Sequence, residues 1–307
     1  MSKRILVTGG LGFVGSNLVD MLISQGHQVD VIDNLSSESS SGKYANPKAN
    51  YEIRDVLNIL QIVNAVGVLE SRTQYDVIYH LAAEARIQPS FDNPMHWFQT
   101  NIMGTAAVME YARLSNSKAV VYATTSSKNH GSKYISPYTY SKVAGEDILS
   151  TYKKCFKVNC ASATFFNVYG PREPEVGEYA TVRAKFQRQF DNNEPMTVVG
   201  DGNQTRDFTH VDDICQGMIA IAEHLLTKPQ EMTTPARDYD LGRGEPISII
   251  EVALMICNYD PSKIMHVPLR KNEGKHTMAL WKDTQNAIGW RATKSLKTYI
   301  NIINNEK

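Results

Sequence analysis

The stretch Thr8-Gly9-Gly10-Leu11-Gly12-Phe13-Val14-Gly15 decides the fold of this chain. It follows a short apolar run at residues 5–7, and apolar side chains recur at helical spacing over residues 11–24. Glycine is needed where a backbone turns tightly, approaches a pyrophosphate, or lets a helix pack closely on a strand. The first N–H groups of the helix would then face the phosphates. The pattern predicts a strand, a phosphate-binding loop and a helix.

A second apolar run, residues 28–32, ends at Asp33, about 20 residues after the glycines, as dinucleotide binding requires. The Asp33 carboxylate can accept hydrogen bonds from both ribose hydroxyls and would repel a 2′-phosphate, which favours NAD over NADP. Asp55 follows the third predicted strand. It either contacts the adenine amino group or caps the next helix before Leu57, and the sequence leaves both roles open.

Apolar runs recur near Ile53 and at residues 77–81, 118–123 and 158–166, with helix-like stretches between them. Strands that alternate with helices predict an α/β fold, a Rossmann-type doubly wound parallel sheet. After about Gly170 the alternation weakens. We therefore expect an NAD-binding domain over residues 1–168, with a returning segment near 208–226, and a smaller α/β substrate-binding lobe over 169–307. Residues 36–50 and 227–238 are predicted to be surface loops.

The composition excludes several classes of protein. Among 307 residues, 32 Lys and Arg balance 32 Asp and Glu, which is not the basic footprint of a nucleic-acid binder. No apolar run reaches the about 20 residues that cross a bilayer, and four separated cysteines are typical of reduced thiols. We expect a cytoplasmic protein without nucleic-acid or membrane partners. His210-x-Asp212-Asp213 offers too few ligands for a metal, and its acids are expected to cap a helix.

A second group of polar residues lies near the middle of the chain. Tyr138 and Lys142 are four residues apart, so on a helix they share one face. An ammonium near the phenol would stabilise phenolate and lower the tyrosine pKa, which suits a general base and acid. Hydroxyl side chains at residues 124–127 follow a predicted strand. One of them could hydrogen-bond the same substrate oxygen as Tyr138.

Further motifs follow in the order expected of one family: His80-Leu81-Ala82-Ala83, Asn167-Val168-Tyr169-Gly170-Pro171-Arg172, and Gly200-Asp201-Gly202 leading to Arg206-Asp207. With the motifs above, the sequence resembles the extended short-chain dehydrogenases/reductases, specifically the nucleotide-sugar epimerases and dehydratases of the UDP-glucose 4-epimerase type. The resemblance spans nearly the whole chain. It implies an NAD cofactor, a nucleotide-sugar substrate such as a UDP-sugar, and a homodimer formed by the helix at 95–111 and the helix that carries Tyr138.

The resemblance also implies residue roles. Ser126, Tyr138 and Lys142 would be catalytic. Substrate contacts would come from Ser126, Asn167, Arg206, Arg270 and Glu273, with Arg206 on the diphosphate. Together with the glycine loop and Asp33, the predicted cofactor contacts are Gly9, Gly12, Phe13, Val14, Gly15, Asp33, Asn34, Leu35, Ser36, Asp55, Val56, Leu81, Ala82, Ala83, Asn101, Thr124, Tyr138, Lys142 and Phe165.

Within that family the sequence favours a 4-epimerase that works through a transient 4-keto sugar. No Asp or Glu lies between Ala123 and Tyr138, where related dehydratases carry acids, and Ser127 stands where related decarboxylases carry glutamate. NADPH-dependent reductases are disfavoured by Asp33. A 4,6-dehydratase or another sugar-modifying member, and an NAD-binding regulator without turnover, are the alternatives. The sugar stays open among the glucose/galactose, N-acetyl and glucuronate pairs.

Overall fold

The computed structural model describes residues 1–37, 42–61, 73–177, 179–228, 231–269 and 274–306. Two kinds of element alternate along its first two thirds, as expected. The strands are β1 (Arg4–Thr8), β2 (Gln28–Asp33), β3 (Asn50–Ile53), β4 (Val77–His80), β5 (Val120–Thr125), β6 (Cys160–Phe165), β7 (Asn167–Tyr169), β8 (Met196–Val199), β9 (Thr205–His210), β10 (Arg237–Leu241), β11 (Pro246–Ser248) and β12 (Ile264–Val267).

The helices carry the chain back between strands. They are α1 (Phe13–Ser24), α2 (Pro94–Trp97), α3 (Gly104–Ser115), α4 (Pro137–Phe156), α5 (Val182–Asp191), α6 (Val211–Thr227), α7 (Ile249–Ile256), α8 (Trp281–Ile288) and α9 (Leu296–Asn305). A π-helical segment, Phe98–Met103, joins α2 to α3. Single 3₁₀ turns lie at Val56–Asn58, Pro89–Phe91, Ser126–Asn129 and Pro261–Lys263.

The central sheet has the order β3-β2-β1-β4-β5-β6-β10, and every neighbouring pair in it is parallel. The predicted doubly wound α/β fold is confirmed. The chain reverses its direction of travel across the sheet between β1 and β4, and ligands of such sheets bind at the carboxyl ends of the strands beside this point. The predicted loop at 227–238 is shorter than expected. Its last residues, 237–238, open β10, which pairs with β6.

Both faces of the sheet are covered, which explains the nearly continuous apolar strands. Side chains alternate along β1: Ile5 and Val7 pack with α1 and α6 on one face, and Leu6 packs with α3 and α4 on the other. A third apolar core, around Phe186, Val198 and Phe208, joins α5, α7 and α9 to the small sheets β11-β9-β7 and β12-β8. The division at residues 168 and 169 stays a prediction.

Helix α6 shows a second difference from expectation. Its N-terminal cap is His210, whose Nδ1 accepts a hydrogen bond from the Asp212 backbone N–H at 3.1 Å, and the two acids do not cap it. Asp213 is buried and accepts hydrogen bonds from the backbone N–H groups of Thr293 and Lys294 at 3.0 and 2.9 Å. Among the described residues, no three His, Cys, Asp or Glu side chains are grouped as a metal would require.

Candidate active site

The glycine loop joins β1 to α1 at the carboxyl edge of the sheet. A Cβ atom on Gly15 would lie 2.0 Å from the Gly9 carbonyl oxygen, so only glycine allows α1 to pack this closely on the loop. Gly12 precedes the helix with no side-chain cap. The first N–H groups of α1 therefore need another acceptor, and an anion such as a pyrophosphate supplies one.

Asp33 ends β2 beside this loop and is only 7% exposed. Its Oδ2 accepts a hydrogen bond from the Leu11 backbone N–H at 2.9 Å, and its Oδ1 accepts one from that of Leu35 at 2.9 Å. Burial raises the pKa of Asp33, and these two N–H groups offset part of the rise. Each oxygen keeps lone pairs for ribose hydroxyls. The loop, the uncapped helix and Asp33 thus fit NAD.

A cleft of about 550 Å³ runs from the glycine loop along the carboxyl ends of β1, β4 and β5 to the third apolar core, around Phe186 and Phe208. Most of the predicted cofactor residues line it. They are Gly9, Gly12, Phe13, Val14, Gly15, Asp33, Asn34, Ser36, Val56, Leu81, Ala82, Ala83, Thr124, Tyr138, Lys142 and Phe165.

Three predicted cofactor residues do not line the cleft. Leu35 contributes its backbone N–H to Asp33. Asp55 caps the turn at Val56–Asn58 by accepting the Leu57 N–H at 2.8 Å, so of its two possible roles the structure shows the cap. Asn101 is 1% exposed and lies in the π-helical segment. There it braces the backbone of Glu84, accepting from its N–H and donating to its carbonyl, instead of facing the cleft.

The predicted catalytic residues Ser126, Tyr138 and Lys142 all line this cleft. Ser136 caps α4 by accepting the Thr139 N–H at 3.0 Å, which fixes Tyr138 in the first turn and Lys142 one turn later. Ser126 lines the same cleft. The Lys128 ammonium lies 2.7 Å from Glu146 of α4 and thereby anchors the turn that carries Ser126.

The electrostatics of this group differ from the sequence expectation. The Lys142 ammonium lies 4.4 Å from the centre of the Tyr122 ring, and burial lowers its pKa to about 7. Burial raises the pKa of Tyr138, and the groups that oppose this rise are the Thr125 hydroxyl and the Arg86 guanidinium. The expected lowering of the Tyr138 pKa by Lys142 is therefore wrong for this structure.

Sequence reasoning missed several residues that line the cleft near Tyr138. Glu84 and Arg86 follow β4 directly, and charged residues after a strand next to the reversal point were a usable signal. Arg86 donates from Nε and Nη2 to the Tyr179 carbonyl, at 3.2 and 2.7 Å. Glu173 is buried and pairs with Arg183 at 2.6 Å. Nothing in the local sequence placed Glu173 at the cleft.

Besides Ser126, two further predicted substrate residues line the cleft. Asn167 lies on β7, opposite Phe208 of the neighbouring strand β9. Arg206 lies two residues before Phe208 on β9, and its Nη1 donates to the Thr205 carbonyl at 2.9 Å. Arg270 and Glu273 lie outside the described residues. Gly274, which also lines the cleft, packs against the His130 ring. Across the described part of the chain, no helix is long and apolar enough to span a bilayer.

Fold and site together define a class: a dinucleotide-binding α/β enzyme with a Tyr-x-x-x-Lys pair that lines its cleft. Residues 5–234 match the model of the NAD dependent epimerase/dehydratase family. The chain belongs to this NAD-dependent enzyme family, and the predicted resemblance is confirmed.

Relatives in the family carry out more than one reaction. The chain is 32% identical to UDP-glucose 4-epimerase of Mycolicibacterium smegmatis, over 70% of this chain and 72% of that one. It is 30% identical to UDP-N-acetyl-alpha-D-glucosaminuronate decarboxylase of Bacillus cytotoxicus, over 88% and 85%. The solved UDP-glucose 4-epimerase of Thermotoga maritima with UDP-glucose superposes with a TM-score of 0.85 at 25% identity, covering 99% of both chains. Identity alone does not separate epimerase from decarboxylase.

Proposed function

We propose that the protein is an NAD-dependent nucleotide-sugar 4-epimerase acting on a UDP-hexose. Support for the UDP-sugar comes from the relatives that are named as acting on or binding one. Support for epimerisation comes from the carboxylates of the cleft. Elimination of water calls for a further acid–base group, and so does protonation of C5 after loss of CO₂, whereas inversion at C4 calls for a single group that exchanges the O4 proton.

The observation that carries the proposal is that the carboxylates of the cleft are already bound to other groups of the protein. Among the described residues, the acids that line the cleft are Asp33, Glu84 and Glu173. Asp33 is held at the glycine-loop end. Glu84 accepts the Tyr179 hydroxyl and lies 3.0 Å from His96. Glu173 is bound to Arg183 and accepts the Thr181 hydroxyl. Each acid near Tyr138 is engaged by the protein, so Tyr138 is left as the proton-transfer group.

The residues of the chain then divide the work. The Tyr138 phenolate takes the O4 proton and later returns it. The Thr125 hydroxyl hydrogen-bonds Tyr138 and Ser126 lines the same cleft, so both can orient O4. The Arg86 charge favours the phenolate that burial disfavours. When bound, NAD supplies an acceptor that takes a hydride from C4 and gives it back. The residues that would hold NAD are those of the glycine loop, Asp33 and Lys142.

The remaining requirement is a firmly held nucleotide and a loosely held sugar, because the sugar must present both faces. Arg206 has the charged, forked donors that suit a diphosphate. Arg206 is 7% exposed and its guanidinium donates to the Thr205 carbonyl, so it can hold the diphosphate without following the sugar.

The test is incubation of the purified, NAD-loaded protein with UDP-, dTDP- and GDP-sugars, with products identified by NMR. We expect a mixture of C4 epimers without added NAD. A 4-keto-6-deoxy sugar or a pentose would assign the chain to the dehydratase or decarboxylase chemistry of the family instead. Binding without any product would favour a regulatory protein.

We also propose a homodimer. Met95 and Met103, on α2 and the π-helical segment, are 61% and 59% exposed, and Tyr140 of the adjacent α4 is 37% exposed. Light scattering on the purified protein should give twice the mass of the chain. Changing both methionines to lysine should give the mass of one chain.

A further inference from the structure

Arg86 is held in an uncommon conformation beside the catalytic tyrosine. Its backbone φ of 85° lies in the left-handed region, which L side chains rarely adopt. Its Nε and Nη2 both donate to one carbonyl, that of Tyr179, 93 residues along the chain. Arg86 and Tyr138 line the same cleft, and the Arg86 charge acts on the phenol. The surrounding structure therefore fixes this guanidinium in the cleft against its backbone preference.

The carboxylates near Arg86 are committed to other partners. Glu173 accepts hydrogen bonds from Arg183 at 2.6 Å, from the Thr181 hydroxyl and from the Gly170 N–H at 3.3 Å. Glu84 accepts the Tyr179 hydroxyl and pairs with His96. Across the described residues, the acceptor that Arg86 does bind is a neutral carbonyl. A charged guanidinium in a cleft thus has no hydrogen-bonded carboxylate from the described protein.

This arrangement is costly unless a ligand completes it. Burial lowers the pKa of Arg86, which the charges of Tyr138, Glu173 and Tyr179 oppose without cancelling. Removing a cation from water is unfavourable unless an anion with matching hydrogen bonds replaces the water. A guanidinium and a carboxylate make that match with two parallel hydrogen bonds. The observed geometry therefore calls for an anionic group on the bound ligand.

The position of Arg86 decides which anionic group that is. The helix N-terminus at α1 suits the dinucleotide pyrophosphate, and Arg206 suits the diphosphate of the substrate, so neither phosphate needs Arg86. Arg86 instead neighbours Tyr138, which acts at O4. In a hexose, C4 is bonded to C5, and C5 carries C6. A substituent at C6 therefore lies within reach of a group beside O4.

We propose that Arg86 forms a subsite for the C6 carboxylate of a nucleotide-linked uronic acid, so that the substrate of this enzyme is a UDP-uronate. The inference rests on the proposed function for the placement of O4 at Tyr138. Among the sugars that the sequence leaves open, it selects the uronate, which is charged. It also assigns the choice between charged and neutral sugars to the Arg86 side chain.

Calorimetric binding to the NAD-loaded Tyr138→Phe protein tests the subsite, because that variant leaves the sugars unchanged. UDP, UDP-glucose and UDP-glucuronate are titrated with and without Arg86→Met. We expect UDP-glucuronate to bind most tightly, and Arg86→Met to weaken it by about 10- to 100-fold while UDP and UDP-glucose change by less than about threefold. Arg54→Met, which removes a guanidinium at the Asp33 end of the same cleft, should leave the ratio of the three affinities unchanged.

Two results would overturn the subsite: equal affinity for UDP-glucose and UDP-glucuronate in the presence of Arg86, or an equal loss for all three ligands in Arg86→Met. Arg86→Gly, which suits the positive φ, repeats the measurement if the methionine variant does not fold. Failure of the proposed function is recognised separately. If the wild-type protein converts UDP-glucuronate to a pentose, or gives no product, while the Arg86-dependent preference persists, the subsite stands and the 4-epimerase assignment is wrong.

Discussion

The two ends of the cleft are built in different ways. The glycine-loop end is built mainly from backbone, the contiguous residues 9–15. Its one functional side chain, Asp33, is held by two main-chain N–H groups. The Tyr138 end is made by side chains from segments far apart in sequence, with Arg86 bound to the carbonyl of Tyr179, 93 residues away. At the first end a change of shape should disrupt the fold. At the second a change of functional group should disrupt the chemistry and leave the protein folded.

The largest expected effect is at the Tyr138 end. Tyr138→Phe removes the hydroxyl that transfers the O4 proton and leaves the ring in place, so turnover should fall by about a thousandfold or more, equivalent to at least about 4 kcal/mol in the barrier. Thermal unfolding and NAD content should match the wild type. Tyr140→Phe is the matched control, since Tyr140 lies on the same helix and is 37% exposed outside the cleft. Turnover retained in Tyr138→Phe would contradict the mechanism.

At the glycine-loop end we expect a substitution to lower stability. Gly15→Ala places a methyl group 2.0 Å from the Gly9 carbonyl oxygen, so loop and helix must separate and the free energy of unfolding should fall by about 3 kcal/mol or more. At Gly12 a Cβ would lie 3.4 Å from the same oxygen, and its φ of −74° suits any residue.

Gly12→Ala is therefore the control that separates stability from cofactor binding. We expect its unfolding temperature to stay near that of the wild type while its affinity for NAD falls, because the methyl group stands where the pyrophosphate approaches. Calorimetric unfolding and NAD titration measure the two properties. If both variants unfolded alike, close packing at Gly15 would not be what the loop requires.

The same difference explains which features the sequence predicted. The glycine loop, Asp33 and the Tyr138/Lys142 pair are visible because their partners lie within a few residues or at a fixed spacing. Strands that alternate with helices predicted the doubly wound sheet, and the apolar run Ile5, Leu6 and Val7 packs on both of its faces. These are local rules, and local rules can be read from one chain.

Features set by long-range contacts were missed. The role of Arg86 depends on Tyr179, and the engagement of Glu84 depends on His96 and Tyr179. β10 was predicted as partly loop because its pairing with β6, more than 70 residues earlier, supplies the order that its own residues do not signal. No spacing rule carries such information.

A pH-dependent effect is expected from the buried ammonium between the two ends. The pKa of Lys142 is lowered to about 7 in the folded protein and is about 10.4 in an unfolded chain. Between these pH values the unfolded chain binds more protons, so wild-type stability rises with pH. Lys142→Met should therefore stabilise the NAD-free protein by up to about 4 kcal/mol at pH 7, the cost of this difference in pKa. This advantage should shrink steadily toward pH 10.

Chemical unfolding of both proteins across that pH range measures the difference. Lys153→Met is a matched control, since Lys153 also lies on α4 and is 3% exposed but donates to the Pro235 carbonyl. A stability difference between Lys142→Met and wild type that did not vary with pH would show that Lys142 is not a titrating buried charge.

The smallest expected effect is at Arg86, where an unfavourable backbone conformation holds a functional side chain in the cleft. Its φ of 85° suits glycine, so Arg86→Gly should raise the free energy of unfolding by about 1 kcal/mol, while removing the charge beside Tyr138. Asn116, with a φ of 53° at the end of α3, supplies a comparison, since Asn116→Gly relieves a similar conformation far from the cleft. Both variants should be more stable, but only Arg86→Gly should lose activity. A gain in stability without loss of activity would mean that the strain at Arg86 serves no chemical purpose, and a loss of stability would mean that its contacts with Tyr179 outweigh the strain.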